Sequence, residues 1–212
     1  MIPMRAVTTV FVMLLVMGCD ASRDAPETLG TGGATSGTTV GPGAGPTGPG
    51  SGGGSPVACD AAVEPFGAEV GQSFPDITLT DCAGGKHTLD ELRCQNTITI
   101  VSVGAGWCEP CQEEAPELQA ASVALADQGV GIVQVLFQDA SGLPATTMFC
   151  DAWTQTFSLT IPTLIDPVGN TLEFFDQAQT PLNFVVDRDG VVLWAQTGKV
   201  DDVEGLLVSL LP

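Results

Sequence analysis

The chain has 212 residues, 25 Asp+Glu against 6 Lys+Arg, one His and a formal charge of −19. So few cations cannot neutralise a run of phosphates, which excludes a nucleic-acid binder. The same balance excludes adhesion to anionic lipid through a basic patch.

The N-terminus, Met1 to Gly18, carries one Arg, a short apolar run (Val10 to Met17) and then Gly18-Cys19. The run is too short to span a bilayer. Charge, apolar stretch and small residue together predict a secretory signal over residues 1–18. Val16-Met17-Gly18-Cys19 resembles the bacterial lipobox, which implies lipidation at Cys19. Two acyl chains would give firm attachment. The implied location is the extracytoplasmic side of a bacterial envelope, on either the inner or the outer membrane.

Residues 19–57 read as the lipidated Cys and a tether. Of the 27 residues from Gly30 to Pro56, 12 are Gly and 4 are Pro, with no charge and no large apolar group. Nothing there offsets the entropy of ordering, so a flexible leash of roughly 30 Å mean span is expected. Residues 58–212 are long enough for one domain.

Seven cysteines occur, at 19, 59, 82, 94, 108, 111 and 150. Setting Cys19 aside for lipid leaves six. Export places them where disulfides persist. Only Cys108-Glu109-Pro110-Cys111 has motif spacing. The other four allow three pairings. Cys82 at a hairpin tip and Cys94 just before a buried strand suggest Cys82–Cys94, leaving Cys59–Cys150, both structural. A metal carrier would want further ligands, and neither a second C-x-x-C nor a His pair exists. His87 reads as a solvated hairpin residue.

Elements follow in chain order. Ile77-Thr78-Leu79 and Lys86 to Leu89 flank Ala83-Gly84-Gly85 as a hairpin. Ile98 to Val103 is β-branched and reads as a buried strand. Gln112 to Leu125 has helix composition, with Pro116 expected to kink it. Val130 to Phe137 is a second buried strand, and Ala145 to Phe157 a helix with Phe149, Trp153 and Phe157 at helical spacing. Thr163 to Ile165 and Leu182 to Val186 are strands. Arg188-Asp189-Gly190 turns into a return strand, Val191 to Gln196, and Val203 to Leu211 closes as a helix. This order predicts an α/β fold with a mixed central sheet and helices on both faces.

The two motif cysteines fall at the junction of a strand and a helix N-terminus. Free N–H groups and the helix dipole stabilise a thiolate there. Cys108 is the candidate nucleophile, and Cys111, one turn on, the resolving thiol. Glu109, Glu113, Glu114 and Glu117 oppose the thiolate and favour a mild, reducing dithiol.

Trp107-Cys108-Glu109-Pro110-Cys111 with Pro116 beyond it resembles the thioredoxin fold, and more narrowly the TlpA/ResA-like extracytoplasmic thiol-disulfide oxidoreductases. Val70 to Pro75, Ile161 to Asp166 and Thr180 to Gly190 resemble that group's N-terminal hairpin extension, the segment after its inserted helix, and its cis-proline loop and strand. The resemblance covers about residues 66–211. It implies a cis Pro181 beside the dithiol. It also implies that Thr180, Trp107, Glu109 and Pro110 face the incoming chain, and that Glu114 accepts the resolving thiol's proton. Val103-Gly104-Ala105-Gly106 replaces the group's usual aromatic residues, which suggests a more open groove or a different choice of partner. The implied protein is an enzyme without a cofactor that reduces disulfides of envelope proteins and is recharged by a membrane-side electron donor. The rival readings are a non-catalytic structural or binding domain, a metal carrier, and a peroxidase. The peroxidase is disfavoured by the Gly-Ala-Gly-Trp that precedes Cys108.

Overall fold

A computed structural model describes residues 59–60, 62, 64–175 and 179–212. The signal, Cys19 and the tether lie outside these residues. None of the described helices is long and apolar enough to cross a membrane.

Strands β1 (Thr78–Asp81), β2 (Lys86–Thr88), β3 (Ile98–Ala105), β4 (Val130–Gln138), β5 (Thr163–Ile165), β6 (Leu182–Asp187) and β7 (Val192–Thr197) form one sheet in the order β2-β1-β5-β4-β3-β6-β7. β3, β4 and β5 run parallel, while β1 joins β5, and β6 joins β3 and β7, antiparallel. This is the expected mixed α/β sheet. β3 is buried along its whole length, as its unbroken β-branched run requires.

Helices α2 (Glu109–Ala124), α3 (Thr147–Phe157) and α4 (Val203–Leu210) cover one face. There Leu118, Ala121, Trp153, Val203 and Leu207 pack on Ile98, Ile100, Ile132 and Val185. α3 is the expected inserted helix between β4 and β5. α2 continues through Pro116 as one helix.

The opposite face holds Phe74, Leu79, Leu89, Val101, Val133 and Phe184. Phe74 stacks on Phe184 at 4.1 Å between ring centres, seating the segment before the hairpin on the sheet. A short helix, α1 (Leu89–Arg93), also lies here. The elements read from the sequence do not include it, yet its signal is legible. Thr88 Oγ1 accepts from the Glu91 N–H, and Glu91 Oε2 accepts from the Thr88 N–H, a reciprocal cap written as Thr-x-x-Glu.

The structure corrects the disulfide pairing. Cys59 bonds Cys94 and Cys82 bonds Cys150, with Cα atoms 5.5 and 5.1 Å apart. Proximity in sequence suggested Cys82–Cys94. However, β1 pairs with β5, so the hairpin tip lies under α3, and both Cys82 and Cys150 reach the Thr163 carbonyl. Cys94 caps α1 beside the N-terminal segment instead. Arg93, 3% exposed, binds that segment to the β6–β7 turn: it donates to the carbonyls of Asp60 and Arg188 and pairs with Asp90 at 2.7 Å. These bridges close loops of 35 and 68 residues. Loop-closure entropy gives each a stabilisation of about 4 kcal/mol. Cys82→Ser is therefore expected to lower the unfolding free energy by that amount. Urea denaturation checks it, with non-reducing peptide mapping of the wild type to verify the pairing.

Candidate active site

β3 ends where α2 begins, and the dithiol lies at that corner. Cys108 is the N-cap of α2, and its Sγ accepts from the Cys111 N–H at 3.2 Å. The two cysteines form a disulfide, with Cα atoms 5.2 Å apart. An anion formed on Cys108 would meet the free N–H groups of the first helical turn. Cys108 is 3% and Cys111 1% exposed.

Gly104 and Gly106 explain the absence of aromatic residues ahead of the motif. A Cβ on Gly104 would lie 2.9 Å from Cys111 Sγ. One on Gly106 would lie 2.6 Å from the Ala140 backbone nitrogen and 2.5 Å from the Phe149 ring. The small residues admit Cys111 and the loop after β4, so these positions are filled rather than open. This corrects the expectation of a wider groove.

Trp107 remains half exposed. Its edge rests on Phe137, and its Nε1–H donates to Gln138 Oε1 at 2.9 Å. Trp107, Cys108, Glu109, Pro110 and Thr180 line one cleft of about 310 Å³ with Gln179 and Gly198. The first five are all candidates from the sequence. Gln179 and Gly198 were missed, because nothing in a lone Gln or Gly marks it as lining a distant motif. Pro181 follows a cis peptide bond, and Pro162 does not. The Pro181 carbonyl accepts from the Gly198 N–H at 2.7 Å, and the next residue, Leu182, pairs with Val103 of β3. This fixes the loop beside the dithiol.

Glu114 is fully buried. It follows Cys111 by three residues, on the same inward face of α2. Cys111 sits over Gly104 and Glu114 over Ser102, two residues apart on one face of β3, a separation of about 7 Å. Ser102 Oγ donates to Glu114 Oε2 at 2.8 Å. Asn183 Nδ2 and the Val200 N–H donate to Oε1 at 2.9 and 2.8 Å. Burial raises the Glu114 pKa, and Glu117 adds to that. The three donors oppose the rise without cancelling it.

Glu113 and Glu117 face solvent, where Lys199 pairs with Glu117 at 2.8 Å and approaches Glu113 at 3.8 Å. Hydrogen bonding to Glu117 holds the Lys199 pKa above its usual value. Of the four carboxylates set against the thiolate by sequence, two are thus answered by a lysine and a third is buried. Glu109 is exposed and has no basic partner among the described residues. His87 meets Asp81 at 2.9 Å on the front hairpin, and that contact lowers the Asp81 pKa.

The AhpC/TSA family profile matches residues 70–195. The chain belongs to the AhpC/TSA family. Within this family, its similarity runs to disulfide-exchange proteins. It is 29% identical over 151 residues to the thiol-disulfide oxidoreductase ResA of Geobacillus kaustophilus, covering 70% of this chain and 82% of that protein. It is 28% identical over 126 residues to the thioredoxin-like protein YneN of Bacillus subtilis, covering 59% and 70%. The fold is shared with a putative thiol:disulfide interchange protein DsbE of Chlorobium tepidum (TM-score 0.56, 22% identity, 66% of this chain and 94% of that one). It is shared too with the thioredoxin domain of a Bacteroides vulgatus thiol-disulfide oxidoreductase (TM-score 0.58, 19% identity, 68% and 99%). With its C-x-x-C at the start of α2, this AhpC/TSA member is a thiol-disulfide oxidoreductase.

Proposed function

We propose that the protein is an envelope reductase, lipid-anchored at Cys19, that donates electrons to disulfides of extracytoplasmic proteins. The observation that carries this reading is the buried dithiol with a buried carboxyl one turn behind it. The partner disulfide enters the cleft between Trp107 and Thr180. Cys108 thiolate attacks one partner sulfur, the partner S–S bond breaks, and one partner thiolate leaves. A mixed disulfide remains.

Cys111 then loses its proton to Glu114, the general base, with water relaying it across the separation between them. The Cys111 thiolate attacks Cys108 Sγ, the mixed disulfide breaks, and the second partner thiolate leaves. Two electrons have passed to the partner, and Cys108–Cys111 is oxidised. A membrane-side dithiol donor restores it. A peroxidase reading has less support: Arg93 and Arg188 lie at the far end of the sheet, where Ile98 pairs with Asp187, and no other described Arg exists to activate a peroxide.

The test is the reduction potential of the Cys108–Cys111 pair in the full chain, poised in dithiol buffers and read by alkylation and mass spectrometry. A value near or below about −250 mV is expected, in the range of thioredoxin. A value of about −120 to −180 mV would make the protein an oxidase or isomerase. The anchor is tested separately by membrane fractionation of Cys19→Ser, which is expected to move the protein to the soluble fraction.

A further inference from the structure

One rung of the sheet is polar where its neighbours are apolar. Thr163, Gln134, Ser102 and Asn183 stand side by side across β5, β4, β3 and β6, all buried on the face under α2 and α3. We propose that Ser102 and Asn183 form a two-position proton switch with Glu114. In one position the Ser102 hydroxyl donates to the ionised carboxylate. In the other it accepts the carboxyl proton at Oε2 and donates to the side-chain oxygen of Asn183. The proposal rests on Glu114 receiving the Cys111 proton.

Geometry assigns the proton to Oε2. Oε1 is occupied by the Val200 N–H and Asn183 Nδ2, neither of which can accept a proton. The Asn183 amide cannot turn over, because Nδ2 also donates to the Gly198 carbonyl at 3.2 Å. Reversal would set Oδ1 against that carbonyl and the carboxylate. Among the described residues Oε2 meets Ser102 alone, and a hydroxyl both donates and accepts.

When Ser102 accepts, its own hydrogen needs a new acceptor. Asn183 Oδ1 is buried and without a partner among the described residues. Asn183 stands directly across from Ser102 in the antiparallel β3–β6 pair, on the same face. The other flank offers less, since Gln134 Oε1 is engaged by Trp153 Nε1–H at 2.7 Å. A buried acceptor left unpaired is costly, and the protonated state removes that cost.

The charged and titratable groups around the trio are few. Cys111 and Cys108 lie one turn earlier on α2. Glu113 and Glu117 lie on its outer side, and Lys199 comes from the loop after β7. The strands beneath supply Ser102, Asn183 and Gln134, all neutral.

The experiment uses the full chain with its dithiol reduced and follows the protonated carboxyl band by infrared difference spectroscopy across pH. Loss of the band in Glu114→Gln assigns it. In Ser102→Ala the band is expected at higher frequency, because the O–H no longer donates to Ser102. Its midpoint rises by about one pH unit, a tenfold change, because a charge-assisted donor to the carboxylate is gone. Ser102→Thr restores both. Asn183→Leu removes a direct donor to Oε1 as well as the Oδ1 acceptor, so the switch is read from the Ser102 variants. A band unmoved in Ser102→Ala overturns the switch. The base reading fails separately, if Glu114→Gln resolves mixed disulfides at the wild-type rate.

Discussion

Replacing Cys108 with serine is expected to reduce disulfide exchange to the level without protein, while leaving the fold nearly as stable as before. Serine fits the same N-cap and its oxygen accepts the same N–H, so α2 starts as it does now. What goes is the thiolate proposed as the attacking group. The Cys108–Cys111 bridge spans three residues. So short a loop contributes under about 2 kcal/mol of closure entropy, against about 4 for each of the other two bridges. A purely structural staple would show the opposite pattern, with a lower melting temperature and no activity to lose. Cys111→Ser separates the two chemical steps. The mixed disulfide should form and persist, and a partner covalently trapped on Cys108 can be identified by mass spectrometry. Loss of exchange in Cys108→Ser with retained melting temperature, and trapping only in Cys111→Ser, would fix the roles of both thiols.

The corner that holds these thiols was legible because its signals are local. A β-branched run, a break at glycine, two cysteines and a helix composition occupy consecutive positions, and each carries its own physical preference. Pro181 was legible as part of a motif. The pairing of Cys59, Cys82, Cys94 and Cys150 was not, because it depends on β1 crossing to β5 and on α3 lying over that edge. Sequence separation ranks Cys82–Cys94 first, and the sheet order reverses the ranking. Glu114 shows the same limit. The resemblance marks it as the acceptor of the Cys111 proton, but its neighbours Glu113 and Glu117 are solvated acids and composition alone does not separate it from them. Its burial comes from Ser102, Asn183 and Val200, which lie 12, 69 and 86 positions away. The short glycines before Trp107 were read as space, and only the packed structure shows Cys111, Ala140 and Phe149 filling it.

Glu114→Gln is expected to slow resolution of mixed disulfides by about 10²–10⁴-fold, the usual weight of a general base, and to stabilise the domain at neutral pH. The two effects share one cause. Burial makes the ionised carboxylate unfavourable in the folded state, so its folded pKa lies above its unfolded value. For a carboxyl shifted in that direction, the stabilising contribution is full below the unfolded pKa and is lost as pH rises through the folded pKa. The wild type should therefore lose stability as pH climbs past the ordinary carboxylate range, while Glu114→Gln shows no such loss. Glutamine fits because it copies the protonated acid. Its oxygen takes the donors from Asn183 and Val200, and its NH₂ group faces Ser102 where Oε2 stood. It cannot take a proton from Cys111, so the resolving rate should also lose the pH dependence that Glu114 imposes. Stopped-flow decay of a Cys108 mixed disulfide and thermal melts, both from pH 4 to 9, read the two predictions on the same protein. A variant that is no more stable than wild type at pH 8 would show that the three donors already hold the carboxylate without cost. Glu114 would then titrate no higher than an ordinary carboxyl and be a weak base for the proton that Cys111 must release.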